Sequence, residues 1–374
     1  MSDKKFTAIT LDTSIFDGNG IRLDRGLLGR LTQFKSSPVK FILSDIMVNE
    51  IVNHLGNKIL SSRTTFEKAL NDANDFLSFD GGEINDIKSK LIHSDKVKES
   101  AEKRVKEFLE KTGAEVIDSG DYVNVSDLRD KYFNNEAPFS ETGNKKNEFP
   151  DAIALMGLEG WAEDNDELIY AVSTDNDWKA FCENANYIVF HDNLSEALDY
   201  FNRVHSPFDA VNALEKFLAN GNAPNFMRQL HCQLESFFDD IYVDQDADSG
   251  FYWEGEGTTT SFQDFMILND NFQVVETDEN TLVLEAFLSV DLSIDGDFSL
   301  SVFDSIDRDQ VSMGSISRTV EETFETRVLI TVVGDFDKAK ESPDDLEIES
   351  IEVLDKPDSI HFGYLELDYE PDYE

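Results

Sequence analysis

Cysteine is nearly absent: Cys182 and Cys232 are the only two in 374 residues, and neither has a metal-ligand partner at short spacing. That excludes a disulfide framework and a thiolate zinc site, and it fits a reducing compartment. Histidine is also sparse, with His54, His93, His191, His205, His231 and His361 scattered and unpaired in sequence. Long apolar runs are missing too. No window approaches eighteen uninterrupted apolar residues, and MSDKKFTAIT has no apolar leader core, so the reading is a cytoplasmic protein with no membrane partner. There is no fixed-period repeat and no low-complexity tract. The GNG at 18–20 lacks the third glycine and preceding strand of a dinucleotide loop. DQDADSG (244–250) has Ser249 where a calcium loop needs glycine, and Gly255 where it needs its closing glutamate.

Positive charge is the scarcest resource. The formal net charge is −45, and no Lys or Arg occurs between Arg228 and Arg308. Residues 206–374 hold 40 Asp/Glu against 8 Lys/Arg, whereas residues 1–205 hold 37 against 24. Such a surface repels anionic lipid and most of a nucleic acid's approach paths, although one basic face or bound cations override that field locally. The length favours two domains. The charge asymmetry divides the chain into a domain at 1–205, a helical connector at 206–240 and an acidic domain at 241–374.

What is present is a pattern. FTAITLD (6–12), VKFILS (39–44), AEVID (114–118), LIYAVST (168–174) and YIVF (187–190) read as short buried strands. Helical patterns alternate with them over 21–34, from Ser44 or Asp45 through Leu55, over 62–79 and 84–111, and from Pro150 through DAIALMGLEGWAE. Short apolar runs alternating with helices predict an α/β layer fold on a mostly parallel sheet. Residues 193–238 read as helices broken near His205-Ser206-Pro207 and Gly221 to Pro224. From about 241 the period becomes two, in TLVLEAFLSVDLSI (281–294), DFSLSVF, TFETRVLITVV, LEIESIEVL and SIHFGYLELDY. That predicts an antiparallel β-rich domain whose solvated face carries the acid.

Ligands of a parallel sheet bind beyond the carboxyl ends of its strands. Asp12 ends the first strand and Asp175 follows the LIYAVST strand, while Glu50 lies a turn or so into the helix after the second strand and Asp151 opens the helix after Pro150. All four belong to one edge. At roughly 4 Å and an effective dielectric of about 20, each pair of carboxylates would repel by on the order of 4 kcal/mol. The set therefore needs shared protons or a cation, and oxygen-only donors suit Mg²⁺ or Mn²⁺. Paired divalent ions of this kind serve phosphodiester hydrolysis.

LDTSIF with Asp12, the helix acid Glu50, FPDA with Asp151, and STDNDW with Asp175 and Asp177 resemble, in this order, a PIN domain of the FEN/PIN nuclease fold. The likeness covers residues 6 to about 195 and is greatest to the larger bacterial type with a helical insertion. It implies a three-layer nuclease domain and a metal-dependent endoribonuclease cutting single-stranded or structured RNA, with toxin or defence roles common in the family. It implies Asp12, Glu50, Asp151 and Asp175 as the catalytic metal ligands, with Asp177 auxiliary. Thr13, Ser14 and Thr174 would orient carboxylates or touch substrate, and Lys145 and Lys146 would meet a phosphate. The alternatives are a non-catalytic PIN-fold binding protein and a structure-specific DNA nuclease. The acidic domain would bind a protein partner, self-associate, mimic nucleic acid, or serve solubility alone.

Overall fold

The computed structural model describes residues 5–77, 96–139, 148–202, 208–269, 271–278, 280–304, 309–343 and 346–367. The chain forms two compact units, Met1–Ala197 and Leu198–Glu374. The second begins earlier than the charge boundary at 205–206 suggests. Asp199 Oδ1 accepts from the Val274 N–H at 3.1 Å and Asn202 Nδ2 donates to the Val274 carbonyl at 3.0 Å, which ties this last helical turn to the sheet of the second unit.

In the first unit, β1 (Ala8–Leu11), β2 (Lys40–Ser44), β3 (Glu115–Ile117), β4 (Ile169–Val172) and β5 (Ile188–His191) form one parallel sheet in the order β3-β2-β1-β4-β5. Central strands are covered on both faces, which is why AITL and IYAV are buried at every position. The chain winds from β1 outward to β3, then returns to the other side of β1 to start β4. The switch point therefore lies between β1 and β4, and the Asp12 N–H donates to the Val172 carbonyl there at 2.9 Å.

The helices flanking this sheet are α1 (Thr13–Gly18), α2 (Asp45–Leu77), α3 (Val97–Thr112), α4 (Val125–Asn134), α5 (Phe149–Asn165), α6 (Asn176–Cys182) and α7 (Leu194–Asn202), which crosses the unit boundary. Two expectations need correction. The segment 21–34 is not one helix: buried Ile21 and Leu23 sit in turns, and only a short turn at Gly26–Gly29 and a 3₁₀ stretch at Arg30–Ser36 are helical. Gly26, with φ +60, enters that turn in a conformation that would end a regular helix. Nor does a new helix begin at 62, because α2 runs unbroken from Asp45. The helix expected over 84–111 is described from Val97, and its earlier part lies outside the described residues. Ala101, Val105 and Phe108 of α3 are buried, and Phe108 meets Phe16 and Phe41 edge-on.

In the second unit, α8 (Phe208–Ala219) and α9 (Pro224–Phe238) share one apolar core with a sheet ordered β11-β10-β9-β7, with β8 also paired to β9. Here β7 is Tyr252–Ile267, β8 Gln273–Thr277, β9 Thr281–Asp304, β10 Asp309–Gly334 and β11 Leu346–Val353, and every pairing among them is antiparallel. A further pair, β6 (Asp244–Ser249) with β12 (Ser359–Leu365), is parallel, an exception to the antiparallel expectation. The residues 244–249 that imitate a calcium loop are thus a strand.

The alternation in β9 separates two environments. Val290, Leu292 and Ile294 are fully buried, while the residues between them face water. On that wet face four successive cross-strand pairs each join one acid to one hydroxyl: Thr323 to Asp291, Ser293 to Glu321, Thr319 to Asp295 and Ser317 to Asp297, at 2.5–2.8 Å. Directly opposed like charges destabilise a sheet, and this ladder avoids them rung by rung.

Candidate functional site

Every predicted acid arrives at the switch-point edge by a local rule. Asp12 is the residue at which β1 ends and α1 begins, in extended backbone (φ −71, ψ 157), so its side chain projects beyond the sheet. Asp175, three residues past the end of β4, caps α6 and accepts from the Asp177 N–H at 2.7 Å. Glu50 and Asp151 lie near the N-terminal ends of α2 and α5, where these helices return over the carboxyl ends of the strands. A helix N-terminus also tolerates negative charge best.

Asp12 is 5 % exposed. Ser14 Oγ and Ser173 Oγ both donate to its Oδ2, at 2.5 and 2.7 Å. Burial still raises its pKa, against those two hydrogen bonds, and the Asp175 charge adds to the rise. Asp151 is raised further, to about 7, first by burial and then by the charges of Asp12, Glu50 and Asp175; the Trp178 indole, donating to Oδ1 at 3.2 Å, opposes the rise. Asp151 thus feels all three other acids, so the four carboxylates share one field. Thr13 Oγ1 donates to Glu50 at 2.9 Å, joining α1 to α2 at the site. None of the four is ion-paired with a described Lys or Arg.

The structure brings together Asp12, Glu50, Asp151 and Asp175, with Asp177 beside them. Asp177 is raised by burial, then by Asp175 and Glu148. Thr13 and Ser14 are engaged with carboxylates, and the Thr174 N–H donates to Ser14 Oγ at 3.2 Å while its side chain is exposed. Lys145 and Lys146 lie outside the described residues. Three participants went unread in the sequence. Ser173, fully buried, holds Asp12 and also accepts from the Asp175 N–H at 2.9 Å. Trp178 is fully buried and must place its indole N–H, which Asp151 receives. Glu148, 8 % exposed, precedes FPDA and charges the Asp177 side of the site.

The donor set is oxygen only, anionic and short of compensating positive charge, which fits a hard divalent cation. Among the described residues no group of three or more His, Cys, Asp or Glu side chains is placed so that it could hold a metal ion. The carboxylates are instead held by hydroxyls, an indole and a backbone N–H, so the site is oriented by its own hydrogen bonds.

A family model described as PIN domain matches residues 9–178. No curated protein and no solved structure matches the chain.

Proposed function

Residues 9–178 form a PIN domain, a family whose members are generally nucleases and typically use divalent metals, and from that premise we propose that this protein is a metal-dependent endoribonuclease acting on single-stranded or exposed RNA. One observation carries the reading: at the carboxyl ends of β1 and β4, burial together with the charges of Asp12, Glu50 and Asp175 raises Asp151 to about 7, so carboxylates from four separate elements act on one another there.

Asp12, Glu50, Asp151 and Asp175 would hold Mg²⁺ or Mn²⁺, with Asp177 at the margin. Such an ion supplies polarisation of the phosphate and a nucleophilic hydroxide at neutral pH. The chain's own groups prepare the site. Ser14 and Ser173 fix the Asp12 carboxylate in one orientation and favour its ionised form. Thr13 does the same for the position of Glu50. The Trp178 indole fixes Asp151 Oδ1, and Asp151 carries a proton through much of the mildly acidic range, giving it up as pH rises past about 7. Because the cation competes with that proton, its binding should strengthen as pH rises through neutral.

A second reading, a non-catalytic PIN-fold binding protein, draws on the absence, among the described residues, of a group of three or more His, Cys, Asp or Glu side chains placed to hold a metal ion. The two separate in one assay. End-labelled RNA and DNA are digested with the full chain in Mg²⁺, Mn²⁺ or EDTA, beside Asp151→Asn. Cleavage of RNA that needs the cation and falls at least about 100-fold in the variant supports the enzyme. Equal inertness of both folded proteins on every substrate favours the binding protein.

A further inference from the structure

Basic residues are rare in this chain, yet five of them line one groove of about 600 Å³ in the first unit: Arg22, Arg25, Lys58, Arg63 and Arg104, with Asp24 as the single acid on its wall. We propose that this groove is a backbone track for a single-stranded nucleic acid, guiding the strand to the carboxylate site; the guiding role rests on the nuclease reading above.

Three observations converge. The first is continuity. Helices α1 and α2 run together away from the acids, joined by Thr13 to Glu50 at 2.9 Å and then by Asp17 to His54 at 2.8 Å. Immediately beyond, the loop after α1 presents Gly20, Ile21 and Arg22 to the groove, and α2 presents Leu55, Lys58 and Ile59. At about 1.5 Å per residue, Lys58 lies about 12 Å along α2 from Glu50, and Arg63 about 20 Å. That length matches about six stacked nucleotides at about 3.4 Å each.

The second is the loop's conformation. Gly20 and Ile21 are both left-handed, with φ 63 and 53. A β-branched residue rarely adopts that region, and such strain persists only where the surroundings enforce it. Here Ile21 is buried, and its N–H bonds the Phe16 carbonyl at 2.8 Å. The consequence is that Arg22 and Arg25 are thrown outward, both exposed, from a fixed floor.

The third is the aromatic rim. Phe66, 38 % exposed, closes the far end of the groove. Cations tracking phosphates, with an exposed ring for a base to stack on, are the two parts of a sequence-tolerant single-strand site. In a protein of net charge −45, this groove offers a polyanion a local attraction that its surroundings oppose.

The test is binding without cleavage: anisotropy of fluorescein-labelled U20 RNA and dT20 DNA with the full chain in EDTA, across a salt series. With Arg104 already 3.9 Å from Asp24, the groove makes at most five phosphate contacts, a log–log salt slope no steeper than about −3.5 for single strands. In the double variant Arg25→Ala/Lys58→Ala, whose residues are both exposed, the slope weakens by about 1.4 and affinity at low salt drops roughly tenfold or more, for both polymers. The comparison variant Lys103→Ala/Lys106→Ala removes two exposed cations paired with Glu107 and Glu110, and keeps the wild-type slope. The proposal is overturned if the wild type does not bind, if the groove variant binds with unchanged slope, if only one polymer responds, or if the comparison variant loses as much. Cleavage is read in parallel. Cation-dependent cleavage with an unaltered groove variant rejects the track and leaves the nuclease standing. Groove-dependent binding without any cleavage keeps the track and rejects the nuclease.

Discussion

Replacing Asp151 with Asn should make the metal-free protein more stable, by an amount that grows from about pH 4 and is full at neutral and alkaline pH. The Asp151 carboxyl titrates near 3.8 when unfolded and near 7 in the fold. Between those values the native state binds the extra proton, so stability in EDTA declines as pH rises from about 4 to about 7 and stays low above it. The full shift corresponds to a ceiling of about 4 kcal/mol. The carboxyl is only partly shielded from water, and screening reduces the retained penalty to about 2 kcal/mol. Asn keeps the oxygen that receives the Trp178 indole and removes the charge facing Asp12, Glu50 and Asp175. For a unit of this size about 2 kcal/mol corresponds to a gain of about 4–8 °C. Scanning calorimetry of the full chain in EDTA at pH 5 and pH 8 measures it: the variant should gain fully at pH 8 and roughly a third to a half as much at pH 5. Adding Mn²⁺ at pH 8 should stabilise the wild type by mass action and the variant much less. Equal gains at both pH values, or a loss at pH 8, would refute the claim that burial and the neighbouring acids raise the Asp151 pKa.

Ser173→Ala removes one of two hydroxyl donors to Asp12 and should move the acid limb of any cleavage profile to higher pH, by about one unit, with Ser14→Ala acting in the same direction. Thr10→Val removes a buried hydroxyl that has no hydrogen-bond partner among the described residues and should stabilise the first unit by about 1 kcal/mol, read as a higher melting temperature; a loss of stability would show that the hydroxyl is satisfied in solution. Gly157→Ala places a methyl 2.9 Å from Ser119 Oγ and 3.0 Å from its Cβ, so thermal melts should show destabilisation of about 1–3 kcal/mol despite alanine's better helix propensity.

Much of this architecture could be read before any coordinates, because buried parallel strands are apolar at every position and end abruptly. AITL followed by Asp12, and IYAV followed by Ser173 and Asp175, are of that kind. The site acids were legible through their position at strand ends and helix starts. What escaped depends on contacts distant in sequence. Ser173 looks like any serine until β4 places it beside Asp12, and Glu148 is one acid among 77 until the start of α5 turns it toward Asp177. The sheet of the second unit hid its length for a similar reason. TLVLEAFLSVDLSI and DFSLSVF read as two separate stretches, yet β9 runs through both and through Asp295 and Gly296 between them. A Cβ on Gly296 would stand 2.6 Å from the Phe362 ring, so the glycine marks close packing there and not a turn.

The acid–hydroxyl ladder of β9 and β10 has a consequence for salt tolerance. Its carboxylates are held by neutral donors, Thr323, Ser293, Thr319 and Ser317, and not by lysine or arginine. Added electrolyte therefore has no ion pair within these rungs to weaken, while it does screen the repulsion running along the strands. Most surface charge networks lose strength in brine. The unit that carries this one should be firmest where the ionic strength is high.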